Sequence, residues 1–369
     1  MVRLIDLSDE KQNQAVLELV RKSALPGGFS YAYIRAPDYR NYASTQGEYQ
    51  VFGIVDESAS LLGMTQVTYD EVYLSGKSQR IAYSGDTRVA PEAKGKKYAD
   101  QLITASCRLD IPVFGAVLAD NALVLTKKLN DWRKLGVDFK IVGELRTLFF
   151  PLKPRLNRKL KKKTEKRMNV TSGIEIKIAN QADLPEMESL WKREKQNQDL
   201  ARSYASGRRF SDTYTNTAGI SLSQTLVMRN AGKLVGFISI WDQNRIRRIE
   251  VLSLSWPYRV GRLLLKPWLK IPSAGETFNV AYAFHHCLDS EFQKTHGWAA
   301  SFLLDSARVL AMQSGFTFFT LGLDSRDPLY PALKKDSLFE KSAQIICYDP
   351  TQTCAFRSEG FFHLEVGMG

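Results

Sequence analysis

Thr87-Arg88-Val89-Ala90-Pro91-Glu92-Ala93-Lys94-Gly95-Lys96-Lys97-Tyr98-Ala99 is the stretch on which the fold turns. Upstream of it, Ile81 to Val89 is β-rich; downstream, Tyr98, Leu102, Ala105 and Leu109 recur at helical spacing. A strand thus ends at Val89, and a short lysine-bearing loop delivers the chain into the mouth of a helix. Such a mouth exposes main-chain N–H groups without intrahelical partners and the positive end of the helix dipole, which suits a phosphate. Lys94, Lys96 and Lys97 add charge, while Gly95 and Ala99 permit close backbone approach.

Working outward, Val2 to Leu7 reads as a strand, and Ser8-Asp9 caps a helix whose apolar face is Val16, Leu17, Val20 and Ala24. Pro26-Gly27-Gly28 ends that helix, and Tyr31 to Tyr42 reads as an aromatic loop. Three antiparallel strands then run through Val51, Val67 and Ile81–Val89. A strand over Val113–Leu118, a helix through Leu129 and a strand over Ile141–Phe150 close the half.

The same order returns about 170 residues later. Ile174–Ile178 is a strand, and Asp183 with Glu186 forms a capping-box pattern before the apolar face of Met187, Leu190 and Trp191. A hairpin runs from Leu226 to Ile238 with its turn at Asn230–Gly232. Phe278–Phe284 is a strand, Ala299–Gln313 a helix, Phe316–Leu321 a strand and Leu329–Lys335 helical. The insertion Arg247–Ile271 has no counterpart in the first half, and its basic, aromatic stretch Trp256–Trp268 suits a domain interface or the wall of an acceptor pocket.

This order, with the loop after Val89, resembles the GNAT (N-acetyltransferase) superfamily. The family pattern is a strand with a hydrophobic end, often a proline, then (Arg/Gln)-x-x-Gly-x-(Gly/Ala) entering a helix; Lys94, Lys97 and Ala99 occupy its three positions, Lys97 in place of glycine. The resemblance implies a mixed α/β sheet and two tandem domains: 1–152, with the acetyl-CoA site, and 172–369, more divergent, joined by a basic linker over 153–171. It implies that Thr87, Arg88, Val89, Lys94, Gly95, Lys96, Lys97, Tyr98, Ala99 and Asn121 hold acetyl-CoA. The Val89 amide would polarise the thioester carbonyl, and Asp86 would deprotonate the incoming amine. Trp132 stands where many relatives carry an acid tyrosine. A second version of the loop, Lys294-Thr295-His296-Gly297-Trp298-Ala299, opens the later helix, with Asp289 and Glu291 just upstream.

The remaining features narrow the field. The chain of 369 residues carries +12, and the run Lys153 to Arg167 supplies a net +8 of it, nine basic residues against Glu165 alone. That run lacks the interleaved aromatics of base stacking, so a solvated linker is expected and nucleic acid is the minor reading. There is no spanning apolar run and no secretory start, so a cytoplasmic location is expected. Cys107, Cys287, Cys347 and Cys354 read as reduced thiols. Adjacent His285 and His286 on a strand point to opposite faces, so no metal is expected there with Cys287 and His296.

The expected activity is acyl transfer from coenzyme A to a primary amine, small-molecule or peptide, by direct attack. Two other readings stand beside it: a tandem transferase that takes aminoacyl groups from tRNA through the basic linker, and a non-catalytic ligand- or partner-binding protein. The sequence leaves the acceptor, the acyl length and the oligomeric state open.

Overall fold

In the computed structural model the described residues are 1–23, 29–35, 37–152, 162, 173–205, 208–256, 259–260, 262, 271–352, 354, 356 and 360–365. They contain fifteen strands: β1 Val2–Ile5, β2 Phe29–Ile34, β3 Glu48–Val55, β4 Leu61–Leu74, β5 Lys77–Val89, β6 Val113–Leu118, β7 Lys140–Pro151, β8 Ile174–Ile178, β9 Thr225–Asn230, β10 Lys233–Asp242, β11 Arg248–Leu254, β12 Thr277–Phe278, β13 Val280–Leu288, β14 Phe318–Asp324 and β15 Phe339–Tyr348. The basic run and most of Trp256–Trp268 lie outside the described residues.

Twelve strands make one mixed sheet in the order β1-β3-β4-β5-β6-β15-β7-β14-β13-β10-β9-β8. The centre is an exchange. β15, the last strand in the chain, enters between β6 and β7 and pairs antiparallel with both. β7 in turn pairs antiparallel with β14, from Phe318↔Pro151 to Asp324↔Leu145. Main-chain hydrogen bonds therefore run unbroken from one end of the sheet to the other.

Local chemistry explains the elements. Asp9 caps the first helix, Glu10–Lys22, by accepting from the Lys11 N–H, and Val16, Leu19 and Val20 turn inward. The hairpin turn between β9 and β10 uses Ala231 and Gly232 at positive φ, as a two-residue connection between twisted strands requires. The capping box sits three residues earlier than the expected Asp183/Glu186 pair: Asn180 accepts from the Ala182 N–H at 2.8 Å and Asp183 accepts from the Asn180 N–H at 2.9 Å. Asp183 and Glu186 instead share the Arg229 guanidinium, each at 2.7 Å.

The expected aromatic loop over Tyr31–Tyr42 is corrected to a strand, β2, and a helix, Tyr39–Gln46. β2 pairs with β11, which begins the insertion Arg247–Ile271, and with β12 these strands form a second, three-stranded sheet. A stretch from each half thus needs the other to complete its ladder, which neither reveals alone.

The core follows the same joint. Leu148 and Phe150 of β7 have no exposed surface and pack among Ile240, Phe302, Phe319 and Leu321 of later elements. Truncating Phe150→Ala is expected to cost about 3–5 kcal/mol, read as a lowered midpoint of one cooperative calorimetric transition. Two separable transitions would show that the sheet does not couple the halves.

Candidate functional site: two parted strand pairs and the cavity between them

Each half contains a parallel pair that begins in register and then separates. β5 meets β6 at Ala82↔Val113 and Tyr83↔Phe114; β13 meets β14 from Val280↔Phe318 to Tyr282↔Thr320. A bulge bends the first strand of each pair. Asp86 (φ 52) and His285 (φ 46) take the left-handed conformation at matching places, where the register with β4 and β10 slips. Beyond the bulges, the Ala90 N–H donates to Leu62 O at 2.9 Å and the Asp289 N–H to Val235 O at 2.8 Å. Antiparallel residues bond the facing strand in alternation. The preceding amides, Val89 and Leu288, are therefore turned to the other edge, where β6 and β14 have moved away.

The predicted phosphate turn follows Val89 directly. Lys94, Gly95, Lys96 and Lys97 are exposed, while Tyr98 and Ala99 are half-buried. Lys97 occupies the N-cap of the helix Tyr98–Ser106 at φ 57, a conformation glycine would take without strain, and its side chain makes no capping bond. Gly95, at φ 86, has open space where a Cβ would stand. Thr87 bonds the Thr65 hydroxyl at 2.8 Å. Asn121 is exposed, and its side-chain oxygen accepts from the Val124 N–H at 3.4 Å, capping the next helical turn. Trp132 has a structural job under the turn: its indole N–H donates to Asp100 at 2.9 Å, and Lys128 also holds that buried carboxylate.

Between the halves lies a cavity of about 310 Å³. The centre of the large sheet forms its floor, including the stacked rings of Phe149 and Phe339 at 4.4 Å. Tyr31, Tyr33, Arg247 and Ile249 from the second sheet line it too. Asp86 and Arg88 reach this cavity from β5, and Tyr282 from β13. Asp86 is heavily engaged: it accepts from Arg35, from the Tyr39 hydroxyl at 2.8 Å and from Arg88 at 2.9 Å. A carboxylate committed to two guanidiniums and a hydroxyl anchors the bulge and has little capacity left to take a substrate proton.

A second cavity, about 370 Å³, occupies the parting of β13 and β14. Leu288, Leu303, Leu321 and Leu323 line it, with Lys294 and Ala300 near the mouth of the helix Ala299–Gln313. That mouth is partly closed by its own chain, because the Ala300 N–H donates to Gln293 at 3.1 Å and Lys294 pairs with Glu291 at 2.7 Å.

The adjacent histidines do face opposite ways. His285 packs against Phe210 and Trp191 and bonds the Tyr204 and Tyr214 hydroxyls; His286 lines the second cavity and lies 4.7 Å from the His363 ring. Sequence reasoning missed a buried chain behind them. Lys195 Nζ bonds His363 Nδ1 at 2.9 Å, and His363 Nε2 bonds Glu365 Oε1 at 2.9 Å. Both ring nitrogens of His363 are thereby engaged, and its ligand atoms lie within 4.8 Å of those of His286 and Glu365. No spacing motif links residues so far apart in sequence. Burial pushes the Cys287 thiol up to about 12, so it is no ready nucleophile.

No family model matches the chain and no curated protein matches it. Solved structures do. N-myristoyltransferase of Saccharomyces cerevisiae with bound myristoyl-CoA is 14% identical with a TM-score of 0.63, over 95% of this chain and 82% of that one. A GCN5-related glucosamine N-acetyltransferase region of a fungal multi-domain GH3 β-N-acetylglucosaminidase is 13% identical with a TM-score of 0.62, over 94% of this chain and 38% of that one. The chain thus shares the fold of these two structures, a large mixed α/β sheet. Among the described residues no helix is long and apolar enough to cross a membrane.

Two measurements probe the buried charges. Asp86→Ala leaves Arg35 and Arg88 buried without their shared carboxylate, an expected loss of about 3–5 kcal/mol by denaturant titration. Burial holds His285, His286 and His363 neutral, well below their ordinary protonation range, whereas in the unfolded chain they bind protons near about pH 6.5. The unfolded state then gains protons first, so these groups lower stability as pH falls below that value. Burial raises Glu365 and Asp327 and opposes the trend, two groups against three. The urea midpoint is expected to be lower at about pH 5.5 than at about pH 7.5, and an equal or higher midpoint would contradict this account.

Proposed function

We propose that the chain is an N-acyltransferase that moves an acyl group from coenzyme A to a primary amine by direct attack. The observation that carries this reading is the strand amide turned into a parted parallel pair in front of a helix mouth. A thioester lying in such a gap can hydrogen-bond its carbonyl to the amide at Val89, which stabilises the charge that develops as nitrogen attacks. The acceptor enters from the central cavity, which both halves line.

On this reading residues 1–152 form the donor half and 172–369 the half that shapes the acceptor cavity, with 153–171 between them. Thr87, Arg88 and Val89 run beside the pantetheine, and Lys94, Gly95, Lys96, Lys97, Tyr98 and Ala99 receive the phosphates, with Asn121 across the gap. Acetyl-CoA is the first donor to test. The neighbour with bound myristoyl-CoA makes that longer donor the second, and the amine acceptors to try first are peptides and amino sugars.

One observation favours a second placement of the donor. The apolar cavity between β13 and β14 ends near Lys294–Ala299, and its volume of about 370 Å³ suits an acyl-pantetheine chain.

Calorimetric titration with acetyl-CoA and with myristoyl-CoA separates the two. On the first placement, Lys94→Glu/Lys97→Glu weakens binding at least tenfold and Ala300→Trp leaves it unchanged; on the second, the two variants exchange results. Absence of binding by the intact chain to either donor would overturn the transferase reading.

A further inference from the structure

Two carboxylates line the central cavity, Asp86 and Glu365, and their surroundings give them opposite parts. Asp86 is consumed by Arg35, Arg88 and Tyr39. Glu365 is only half engaged. Its Oε1 accepts from His363 Nε2 and from the His285 main-chain N–H, both at 2.9 Å. Its Oε2 is buried and has no hydrogen-bond partner among the described residues. A buried acceptor left empty is destabilising, and it persists where another role requires it.

The groups behind Glu365 fix which way it works. Lys195 Nζ lies 2.9 Å from both His363 Nδ1 and Gln198 Oε1. With Lys195 as the donor to Nδ1, Nε2 carries the ring proton and points it at Glu365 Oε1. The row Lys195–His363–Glu365 thus clamps one oxygen and leaves the other without a partner among the described residues, with all three residues buried. The charged and titratable neighbours come from every side: Lys195 from the helix Leu184–Lys195, His285 and His286 from β13, Arg202 from the segment between, Tyr214 from the helix Asp212–Asn216. Burial raises the proton affinity of Glu365, and His286, Lys195, the His285 N–H and Arg202 restrain the rise.

We propose that Glu365 is the general base of the acyl transfer, accepting a proton from the substrate ammonium on Oε2, with His363 and Lys195 as positioning residues. This rests on the reading of the chain as an N-acyltransferase. The ammonium gives one proton to Glu365 and becomes a neutral amine, and its nitrogen bonds to the thioester carbonyl carbon. The tetrahedral adduct then breaks its C–S bond, the second nitrogen proton passes to the departing sulfur, and amide and free thiol result. Glu365 returns its proton to water once product leaves the cavity. Two carboxylates in one cavity thereby divide the work by environment, one holding structure and one moving a proton.

The test follows thiol release from acetyl-CoA and myristoyl-CoA with a panel of peptide and amino-sugar amines, against pH. Glu365→Gln is expected to bind acyl-CoA as the intact protein does, to lose about 10²–10⁴-fold in kcat, and to lose the acid limb of kcat/KM. Glu365→Ala should regain part of its rate with added formate, which a merely structural role would not allow. Lys195→Met removes a cation that favours the ionised carboxylate, so the acid limb moves to higher pH. If Glu365→Gln fails to fold by circular dichroism, Glu365→Asp decides: a shifted acid limb supports the base, an unchanged one overturns it. Wild-type rate and pH profile in Glu365→Gln would sink the base assignment alone. Acyl-CoA binding by the intact chain without transfer to any amine would sink the transferase reading, and the base with it.

Discussion

Two parallel strands that start in register and then part must leave main-chain groups without their ladder partners, and the molecule is organised around that constraint. A bulge at Asp86 bends β5 and a bulge at His285 bends β13, each a non-glycine residue in the left-handed region. Such a conformation costs roughly 1–3 kcal/mol and persists only where the surroundings enforce it. At Asp86 the enforcement is ionic, through Arg35 and Arg88. At His285 it is aromatic and polar, through Phe210, Tyr204, Tyr214 and the Glu365 carboxylate on its main-chain N–H. One backbone device, used twice, is thus secured by unlike chemistry.

That difference shapes what each half offers. Around Asp86, β5 carries small hydroxyls that bond its neighbours, Thr87 to Thr65 of β4 and Ser84 to Ser106 of the helix Tyr98–Ser106. Around His285 they carry leucines that leave a cavity. Exposed lysines front the first helix mouth, whereas Gln293 partly closes the second. The halves share a plan and differ in filling: β5 brings Asp86 and Arg88 to the central cavity, and β13 brings Val280 and Tyr282.

Much of this was legible in the residues. The strand ending at Val89, the helix from Tyr98, the hairpin at Asn230–Gly232 and the helix Ala299–Gln313 follow from local periodicity and turn chemistry, which act within a few residues. What was hidden depends on distant partners. β2 reads as an aromatic loop because its ladder partner is β11, more than two hundred residues away. β15 alternates weakly, since both of its edges are covered and its faces meet different neighbours. Asp86 stood out as a lone acid, but its arginines come from separate elements, and Lys195, His363 and Glu365 meet only in three dimensions. Trp132 looked like a lost acid until Asp100 supplied its reason.

The position of β15 also governs how the chain can be made. Emerging from a ribosome, β6 and β7 appear early, yet the strand that separates them is translated far later. Until it arrives their facing edges are bare ladders, prone to pair with each other in the wrong register or with another nascent chain. The early half therefore waits on the late one, and the sheet closes only after β15 has been made.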